Sequence, residues 1–195
     1  MPRDQQEAIF WYRKAADQGH LRAQFDLGLR YETGQGVPQD GRKALSWFRR
    51  AADQDYVAAQ FMLGQIHDRD DGPAPDLRQA NAWYRKAAEQ GHTLACFTLG
   101  LRYDSGLGLA RDFPQALSWY LAAARQGHGR AQLNAGLMFL AGQGTEADAE
   151  QAWRWLSLAE RNGQAAAARH LARAAARLAP QQLAVLRAAP ELLPA

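Results

Sequence analysis

Five aspartates recur at a constant interval of 36 residues. A carboxylate can serve as a general acid or base, as a metal ligand or as a helix cap. Four of the five are followed three residues later by Glu or Gln, which is the capping-box pattern. The pattern therefore favours helix caps over catalytic or metal-binding carboxylates for Asp4, Asp40, Asp76, Asp112 and Asp148.

Histidines and an acidic run are the other candidates for metal binding. His20, His92 and His128 each follow a glycine at equivalent positions, so a zinc site would need imidazoles from separate repeats to converge. Residues 68–72 resemble part of a calcium loop, but the glycine is misplaced and Gln79 stands where the bidentate glutamate belongs. We interpret the histidines as turn residues and predict no metal site.

The sequence indicates neither a nucleophile nor a phosphate-binding loop. Gly106 with Gly108 and Gly142 with Gly144 look like fragments of a nucleotide loop, but they follow predicted helices and lack the third glycine. Neither a Gly-x-Ser-x-Gly nor a Ser-x-x-Lys motif occurs. We predict no catalytic residue, no cofactor and no enzymatic activity.

The same interval of 36 residues runs through other residue types, which indicates an internal repeat. Two alanine positions keep it, one beginning at Ala8 and the other at Ala23. The tryptophans keep it without a slip at Trp11, Trp47, Trp83, Trp119 and Trp155. The chain is therefore predicted to be one unit copied about five times, each copy starting at one of the five aspartates.

A single unit predicts two antiparallel helices. Ala23, Leu27 and Tyr31 are spaced i, i+4, i+8, which places them on one face of a first helix. Two glycines and a proline then end that helix, and Asp40 caps a second helix that carries an apolar stripe around Trp47. Because the connection is short, the two helices must lie side by side.

Composition narrows the class of protein. The net charge is only +3, so no strongly charged partner is implied, and much of the 47% hydrophobic content is Ala, which suits closely packed helices. The preference for Arg over Lys indicates a GC-rich bacterial coding sequence. No stretch approaches the roughly 20 apolar residues of a membrane helix. We expect a soluble protein of the cytoplasm or periplasm. Because Met1 stands in mid-repeat, the question whether a native leader is missing from this sequence stays open.

The residues from Ala23 to Ala52, Ala-x-x-x-Leu-Gly-x-x-Tyr-x-x-Gly-x-Gly-Val-x-x-Asp-x-x-x-Ala-x-x-Trp-Phe-x-x-Ala-Ala, resemble the Sel1-like repeat. The resemblance covers nearly the whole chain. It implies an all-α fold, a right-handed α-solenoid of antiparallel helix pairs related to tetratricopeptide repeats. It also implies a role as an adaptor in protein complexes or as an immunity protein. Cys96 is the only cysteine, so the cysteine-rich, penicillin-binding branch is not supported.

We predict one solenoid domain over residues 1–179, with a short helix or tail over residues 180–195. Its last unit lacks the Leu-Gly-x-x-Tyr core. Arg169, Arg173 and Arg177 are expected on one solvated face, which is typical of a terminal capping repeat.

The second repeat departs from the pattern in two places. Asp55 replaces the glycine that precedes the next first helix, and Asp70 stands where a helix-ending glycine is expected. Because residues other than glycine rarely adopt a left-handed backbone, we expect an irregular turn in this unit.

The side of each first helix opposite its Ala-Leu-Tyr face is expected to line a concave groove that binds another protein. Several of its positions hold different residue types in different repeats, as expected for a groove that recognises a partner. The predicted partner-binding residues are Phe25, Asp26, Leu29, Glu32, Phe61, Met62, Gln65, Asp68, Phe97, Thr98, Leu101, Asp104, Leu133, Asn134, Leu137 and Leu140.

Two interpretations of the groove phenylalanines stay open. Phe25, Phe61 and Phe97 either anchor a partner or pack against adjacent repeats. In both cases an apolar groove with an acidic rim suits a helix or an extended peptide.

The leading functional hypothesis is a protein-protein interaction scaffold or adaptor. The alternative is an immunity protein that neutralises a secreted toxin or effector, for example a lipase-type effector of a contact-dependent secretion system. Nucleic-acid binding ranks lower, because acidic groove residues would repel phosphates. A penicillin-hydrolysing enzyme also ranks lower, and the oligomeric state is left open.

Overall fold

The computed structural model describes residues 3–69 and 75–188, with side chains from residue 7 onward. All regular secondary structure in these ranges is α-helical, which confirms the predicted all-α class. The helices are α1 Arg3–Asp17, α2 Leu21–Thr33, α3 Gly41–Ala52, α4 Val57–Asp68, α5 Leu77–Glu89, α6 Thr93–Ser105, α7 Phe113–Arg125, α8 Gly129–Ala141, α9 Ala149–Arg161, α10 Ala167–Ala175 and α11 Pro180–Ala188.

The helices alternate as predicted between first helices (α2, α4, α6, α8) and second helices (α1, α3, α5, α7, α9). Each first helix packs against the second helix that follows it, and α1, α3 and α7 also pack against the first helix that comes next. The chain divides into two compact units, Met1–His92 and Thr93–Ala195. We keep the single solenoid domain over residues 1–179 as a proposal.

A glycine lets each helix pair approach closely. A Cβ atom built on Gly28 would lie 2.6 Å from Cε1 of Phe48, and one on Gly64 would lie 2.5 Å from Cδ1 of Tyr84. Such distances are shorter than any ordinary van der Waals contact. The glycine after the recurring leucine is therefore required by packing against the aromatic ring of the second helix.

Four of the five predicted aspartate caps are formed. One carboxylate oxygen of Asp40 accepts the backbone N–H of Lys43 at 3.0 Å, and Asp76, Asp112 and Asp148 accept the equivalent N–H groups. These bonds lower the pKa of Asp40 and Asp76 below the usual aspartate value. Asp4 does not stand before its helix, because α1 already begins at Arg3. The side chain of Asp4 lies outside the described part of the chain.

The reciprocal half of the predicted capping box is wrong. In a capping box, the side chain three residues on bonds the backbone N–H of the cap. Here the N–H of Asp76 donates to the carbonyl of His67 at 2.9 Å instead, and that of Asp112 donates to the carbonyl of Tyr103. The cap residue thus ties the start of each second helix to the last turn of the first.

The second repeat, for which an irregular turn was predicted, is only partly irregular. Asp55 adopts φ of 62°, the left-handed conformation that Gly19 and Gly91 adopt at equivalent turns, so this turn is preserved. By contrast, α4 ends at Asp68 on an extended Arg69, whereas α2 ends on the left-handed Gly34. The predicted irregularity around Asp70 lies outside the described residues.

The C-terminal segment is packed through α11. Leu186 is buried in the core of the second unit together with Ala174 of α10. The expected single arginine face is wrong, because α10 ends at Ala175 and Arg177 turns back to donate to the carbonyl of Leu140 at 2.6 Å. A cation at the C-terminal end of α8 is favoured by the exposed carbonyls there.

Candidate protein-binding surface on the first helices

In the first unit, the predicted residues lie on α2 and α4, and all of them are half-buried. Leu29 and Met62 pack against the core of this unit from its edge. The adjacent positions Leu27 and Leu63 are completely buried. Each first helix therefore has one apolar face in the core and one side that is still accessible, on which the predicted residues lie.

The carboxylates of this surface have partners within the chain. Asp26 is paired with Arg22 at 3.8 Å, and Glu32 forms an ion pair with Arg69 of the next repeat. Asp68 accepts a hydrogen bond from the Tyr84 hydroxyl at 3.3 Å. The expected acidic rim is thus partly compensated by arginines, which softens its charge.

In the second unit, the predicted residues lie on α6 and α8, and they differ in burial. Phe97 and Leu140 belong to the buried core, whereas Leu101 is 37% exposed. The Thr98 hydroxyl donates to the Leu94 carbonyl of its own helix at 2.8 Å. The other members, Leu133, Asn134 and Leu137, are half-buried. Leu101 is thus the most accessible large apolar side chain of the predicted set.

A polar network crosses this surface in the second unit. The Tyr120 hydroxyl donates to Asp104 at 3.2 Å and also hydrogen-bonds Asn134. Burial raises the pKa of Tyr120, and the negative Asp104 raises it further, so the hydroxyl keeps its proton. Tyr120 therefore contacts both Asn134 on α8 and Asp104, which lies three residues after the exposed Leu101 on α6.

The groove phenylalanines take part in contacts between repeats. Phe61 stacks on His92 with ring centroids 4.5 Å apart, and Phe97 contacts His128 at 4.4 Å. Phe25 contacts Tyr56, the residue equivalent to these histidines, at 5.5 Å. These are the contacts expected if the phenylalanines pack against adjacent repeats. A partner-binding role for the three phenylalanines stays a prediction.

The turn histidines are fixed by the same packing. The Nδ1 atom of His128 accepts the backbone N–H of Ala131 at 3.2 Å and so caps α8. Burial lowers the pKa of both His92 and His128, and Arg130 lowers that of His128 further. Within residues 3–69 and 75–188, no three His, Cys, Asp or Glu side chains are placed to hold a metal ion.

A series of buried glutamines was not predicted from the sequence. Gln24, Gln60 and Gln132 each donate to a backbone carbonyl eight residues earlier, at 3.1–3.3 Å. Each also accepts an amide N–H from the next turn, given by Gln54, Gln90 and Asn162, respectively. The interval of 36 residues could have revealed them, and Cys96 takes the equivalent place in the series.

No helix in the described part of the chain is both long and apolar enough to cross a membrane.

Comparison with solved structures shows the same helical architecture. A protective antigen present in uropathogenic Escherichia coli strains, with an SLR fold, is 34% identical with a TM-score of 0.83, over 93% of this chain and 40% of that one. A Sel1 repeat protein from Oxalobacter formigenes is 35% identical with a TM-score of 0.80, over 88% of this chain and 50% of that one. The chain thus spans half or less of these two relatives.

A more distant structure supports the fold alone. Cysteine-rich protein B of Helicobacter pylori is 23% identical with a TM-score of 0.51, over 66% of this chain and 92% of that one. No curated protein matches the sequence.

The Sel1 repeat family matches the chain in five consecutive segments, residues 1–20, 21–56, 57–92, 93–128 and 129–164. These boundaries coincide with the starts of the first helices, since α2, α4, α6 and α8 begin at residues 21, 57, 93 and 129. The match confirms the resemblance found in the sequence and the assignment to α-solenoid proteins. Proteins of this kind are typically non-enzymatic and mediate protein-protein interaction. The chain is a member of the Sel1 repeat family.

Proposed function

We propose that this protein is a scaffold or adaptor that binds a partner protein through the exposed side of its first helices. One observation carries the proposal. The buried positions 27, 63, 99 and 135 hold Leu, Leu, Leu and Ala, whereas their half-exposed neighbours at 26, 62, 98 and 134 hold Asp, Met, Thr and Asn. Packing keeps the buried set alike, but nothing in the packing requires the neighbours to differ.

A surface whose equivalent positions differ can distinguish one segment of a partner from the next. Leu101 offers an apolar contact, and Asp104 and Asn134, both in contact with Tyr120, offer a carboxylate acceptor and an amide. Interfaces of this kind bind through a few anchoring residues surrounded by polar contacts. The partner that fits is a helix or an extended peptide with an apolar side chain next to a polar or basic one.

A photo-crosslinking amino acid at position 98 tests this proposal in lysate of the native organism. A matched protein carries it at Ser118, which is exposed on the second helix α7. We expect a discrete crosslinked partner from position 98 and none from position 118. Equal crosslinking from both positions would show that the first helices are not the binding surface.

Substitution provides an independent arm of the test. Leu101→Glu should weaken capture of the crosslinked partner, whereas Leu107→Glu, which alters a 47% exposed leucine in a loop, should leave it unchanged. The identity of the partner decides between an adaptor and an immunity protein: a regulator supports the first, a secreted toxin the second. Recovery of nucleic acid would support the lower-ranked alternative.

A further inference from the structure

Exposed cations lie along two second helices of the first unit, α3 and α5. Helix α3 carries four arginines and lysines and no carboxylate, and α5 carries three such cations and one carboxylate, Glu89. In contrast, α2 has two charges of each sign, and α4 has one carboxylate and neither arginine nor lysine. The net charge of +3 for the whole chain therefore conceals a local excess of positive charge. The basic face is the exposed set Arg42, Arg49, Arg50, Arg78, Arg85 and Lys86.

The two helices of the basic face lie on one core. Trp83 of α5 packs in the same buried cluster as Phe48 and Ala51 of α3. The small exposed residues Ser46 and Ala82 stand between the cations at the two ends of each helix. Small side chains at these positions leave room for the backbone of a partner.

The packing of a second helix does not require these cations. On α7, Leu121 and Ala122 stand at the positions equivalent to Arg49 and Arg50. Helix α7 nevertheless packs between α6 and α8, as α3 packs between α2 and α4. The fold therefore leaves these positions open to another use.

Tryptophans hold two of the cations in place. Cζ of Arg50 lies 4.5 Å from the centroid of the Trp47 ring, and Nζ of Lys86 lies 4.3 Å from that of Trp83. Such a cation–π contact restrains the side chain and leaves its positive charge in place. Because a side chain that is already ordered loses less entropy on binding, the contact prepares both cations for a partner.

The carboxylates near the basic face neutralise it only weakly. Arg49 lies 3.9 Å from Asp53, and Arg50 lies 3.9 Å from Asp17 of α1. The four side chains are between 56% and 60% exposed. Long, exposed ion pairs of this kind contribute little free energy. A carboxylate of a partner can therefore compete for both arginines.

We propose that the basic face binds an acidic segment of a partner protein. Arg42 and Arg49 are seven residues apart on one side of α3, which corresponds to about 10 Å along the helix. Arg78 and Arg85 repeat this spacing on α5. Glutamates seven residues apart on a partner helix have the same separation. Each arginine can donate two N–H groups to one carboxylate, which adds directional recognition to charge attraction.

The pattern of charges favours a protein over a nucleic acid. Asp53 and Glu89 stand one helical turn after Arg49 and Arg85. These carboxylates would repel the continuous row of charges on a phosphodiester chain. An acidic protein segment can instead place an uncharged residue opposite each of them. Trp83, which is only 7% exposed and is covered by its lysine, also offers no free ring on which a base could stack.

The pattern of apolar residues disfavours a membrane. Helices that lie on a membrane combine cations with exposed apolar side chains that enter the lipid. None of the exposed large apolar side chains in the described part of the chain lies on α3 or α5. The basic face therefore has charge but no apolar group for insertion.

A fluorescein-labelled, alanine-based helical peptide with glutamates seven residues apart is the probe, titrated against the full chain by fluorescence anisotropy. We expect saturable binding. A second peptide has the same composition but distributes its glutamates around the helix, and it should bind about tenfold more weakly. Equal binding of the two peptides, or no binding of the first, would overturn the proposal.

Protein variants locate the site. Arg49→Glu combined with Arg85→Glu should weaken binding of the first peptide about tenfold or more, with melting curves confirming that the variant folds. The matched control combines Arg125→Glu with Arg187→Glu, which changes two exposed arginines of the second unit and alters the net charge by the same amount. The control should change binding by less than about twofold. An equal loss in both variants would show that the peptide responds to net charge alone, and the site would be wrong.

Two other anions test the class of partner, a thymidine oligonucleotide and vesicles that contain phosphatidylserine. We expect both to bind more weakly than the first peptide at physiological ionic strength. If either binds more tightly, and loses that binding in the variant with Arg49→Glu and Arg85→Glu, the basic face belongs to that anion and our assignment to a protein is wrong.

The basic face is separate from the surface of the proposed function. Leu101→Glu should bind the acidic peptide normally, because Leu101 lies on a first helix of the second unit. Conversely, the variant with Arg49→Glu and Arg85→Glu should still crosslink its partner from position 98. The two proposals can therefore fail independently.

Discussion

At the scale of single residues, the buried glutamines stabilise the contacts between repeats through bonds that the apolar core cannot supply. Gln60 is completely buried, donates to Ala52 and Asp55, and accepts from Gln90 at 2.8 Å. A buried polar group is tolerated only when its hydrogen bonds are made. Each partner would lose its bond if the amide were removed.

Gln60→Leu is expected to lower the free energy of unfolding by about 1–3 kcal/mol, because three hydrogen bonds of the Gln60 amide would be lost, to the Ala52 carbonyl, to Asp55 and from Gln90. Urea unfolding followed by circular dichroism measures the change. Gln115→Leu, at an exposed position of α7, is the matched control and should change stability by less than about 0.5 kcal/mol. Equal effects of the two substitutions would mean that the buried bonds contribute little.

A second prediction at this scale concerns His128. Its Nδ1 can accept the Ala131 N–H only while unprotonated, and burial lowers its pKa. The unfolded chain, with an ordinary histidine pKa of about 6.5, then binds more protons than the folded chain once the pH falls below that value. Stability from this group is therefore present above about pH 6.5 and is lost as the pH falls.

We expect the melting temperature to fall between about pH 7.5 and pH 5.5, and to fall less in His128→Asn, since asparagine caps a helix without titrating. Burial also lowers the pKa of His92, which therefore accounts for part of the change in melting temperature with pH that remains in this variant. Differential scanning fluorimetry across this range measures both proteins. If the melting temperature of His128→Asn changed with pH as much as that of the unaltered protein, His128 would not contribute to the pH dependence of stability.

At the scale of helices, the crossing glycines set the separation within each pair. Alanine normally favours a helix by about 1 kcal/mol over glycine, so propensity alone predicts that Gly64→Ala stabilises α4. The structure predicts the opposite sign, because the new Cβ would lie 2.5 Å from the Tyr84 ring.

We expect Gly64→Ala to destabilise the protein by about 1–3 kcal/mol, the usual cost of forcing atoms into a packed core. Gly41→Ala is the control, since a Cβ at that first residue of α3 would meet nothing within 4 Å. Thermal melts should move in opposite directions, or stay unchanged for Gly41→Ala. A stabilising Gly64→Ala would mean that the helices separate without cost.

At the scale of the whole molecule, each helix packs mainly on its neighbours in sequence. One core cluster of the first unit includes Leu27 and Phe48, and one of the second unit includes Leu156 and Leu186. In a repeat array, stability is approximately a sum of such nearest-neighbour terms, so damage stays local.

Gly136→Val tests this locality, because a Cβ on Gly136 would already lie 2.7 Å from Cγ of Leu156. Hydrogen exchange measured by mass spectrometry should accelerate in α8 and α9 and stay unchanged in α2 and α3. Gly28→Val is the mirror experiment and should accelerate exchange in α2 and α3 only. Uniform acceleration in either variant would show that the chain unfolds as one cooperative body.

The sequence by itself determined the repeat, the all-helical fold and most of the caps. These features depend on residues within one repeat, and a pattern copied at a fixed interval of 36 residues reveals them directly. The crossing glycines were also predictable, because a glycine beside a recurring leucine has no other use in a helix interior.

Only the tertiary structure decided which polar groups meet. The Glu32 and Arg69 pair, the Gln54 and Gln24 bond and the turn of Arg177 onto Leu140 join residues 37, 30 and 37 positions apart. The interval identifies which positions are equivalent, but it does not fix the rotamers of long side chains or which of several nearby partners they choose.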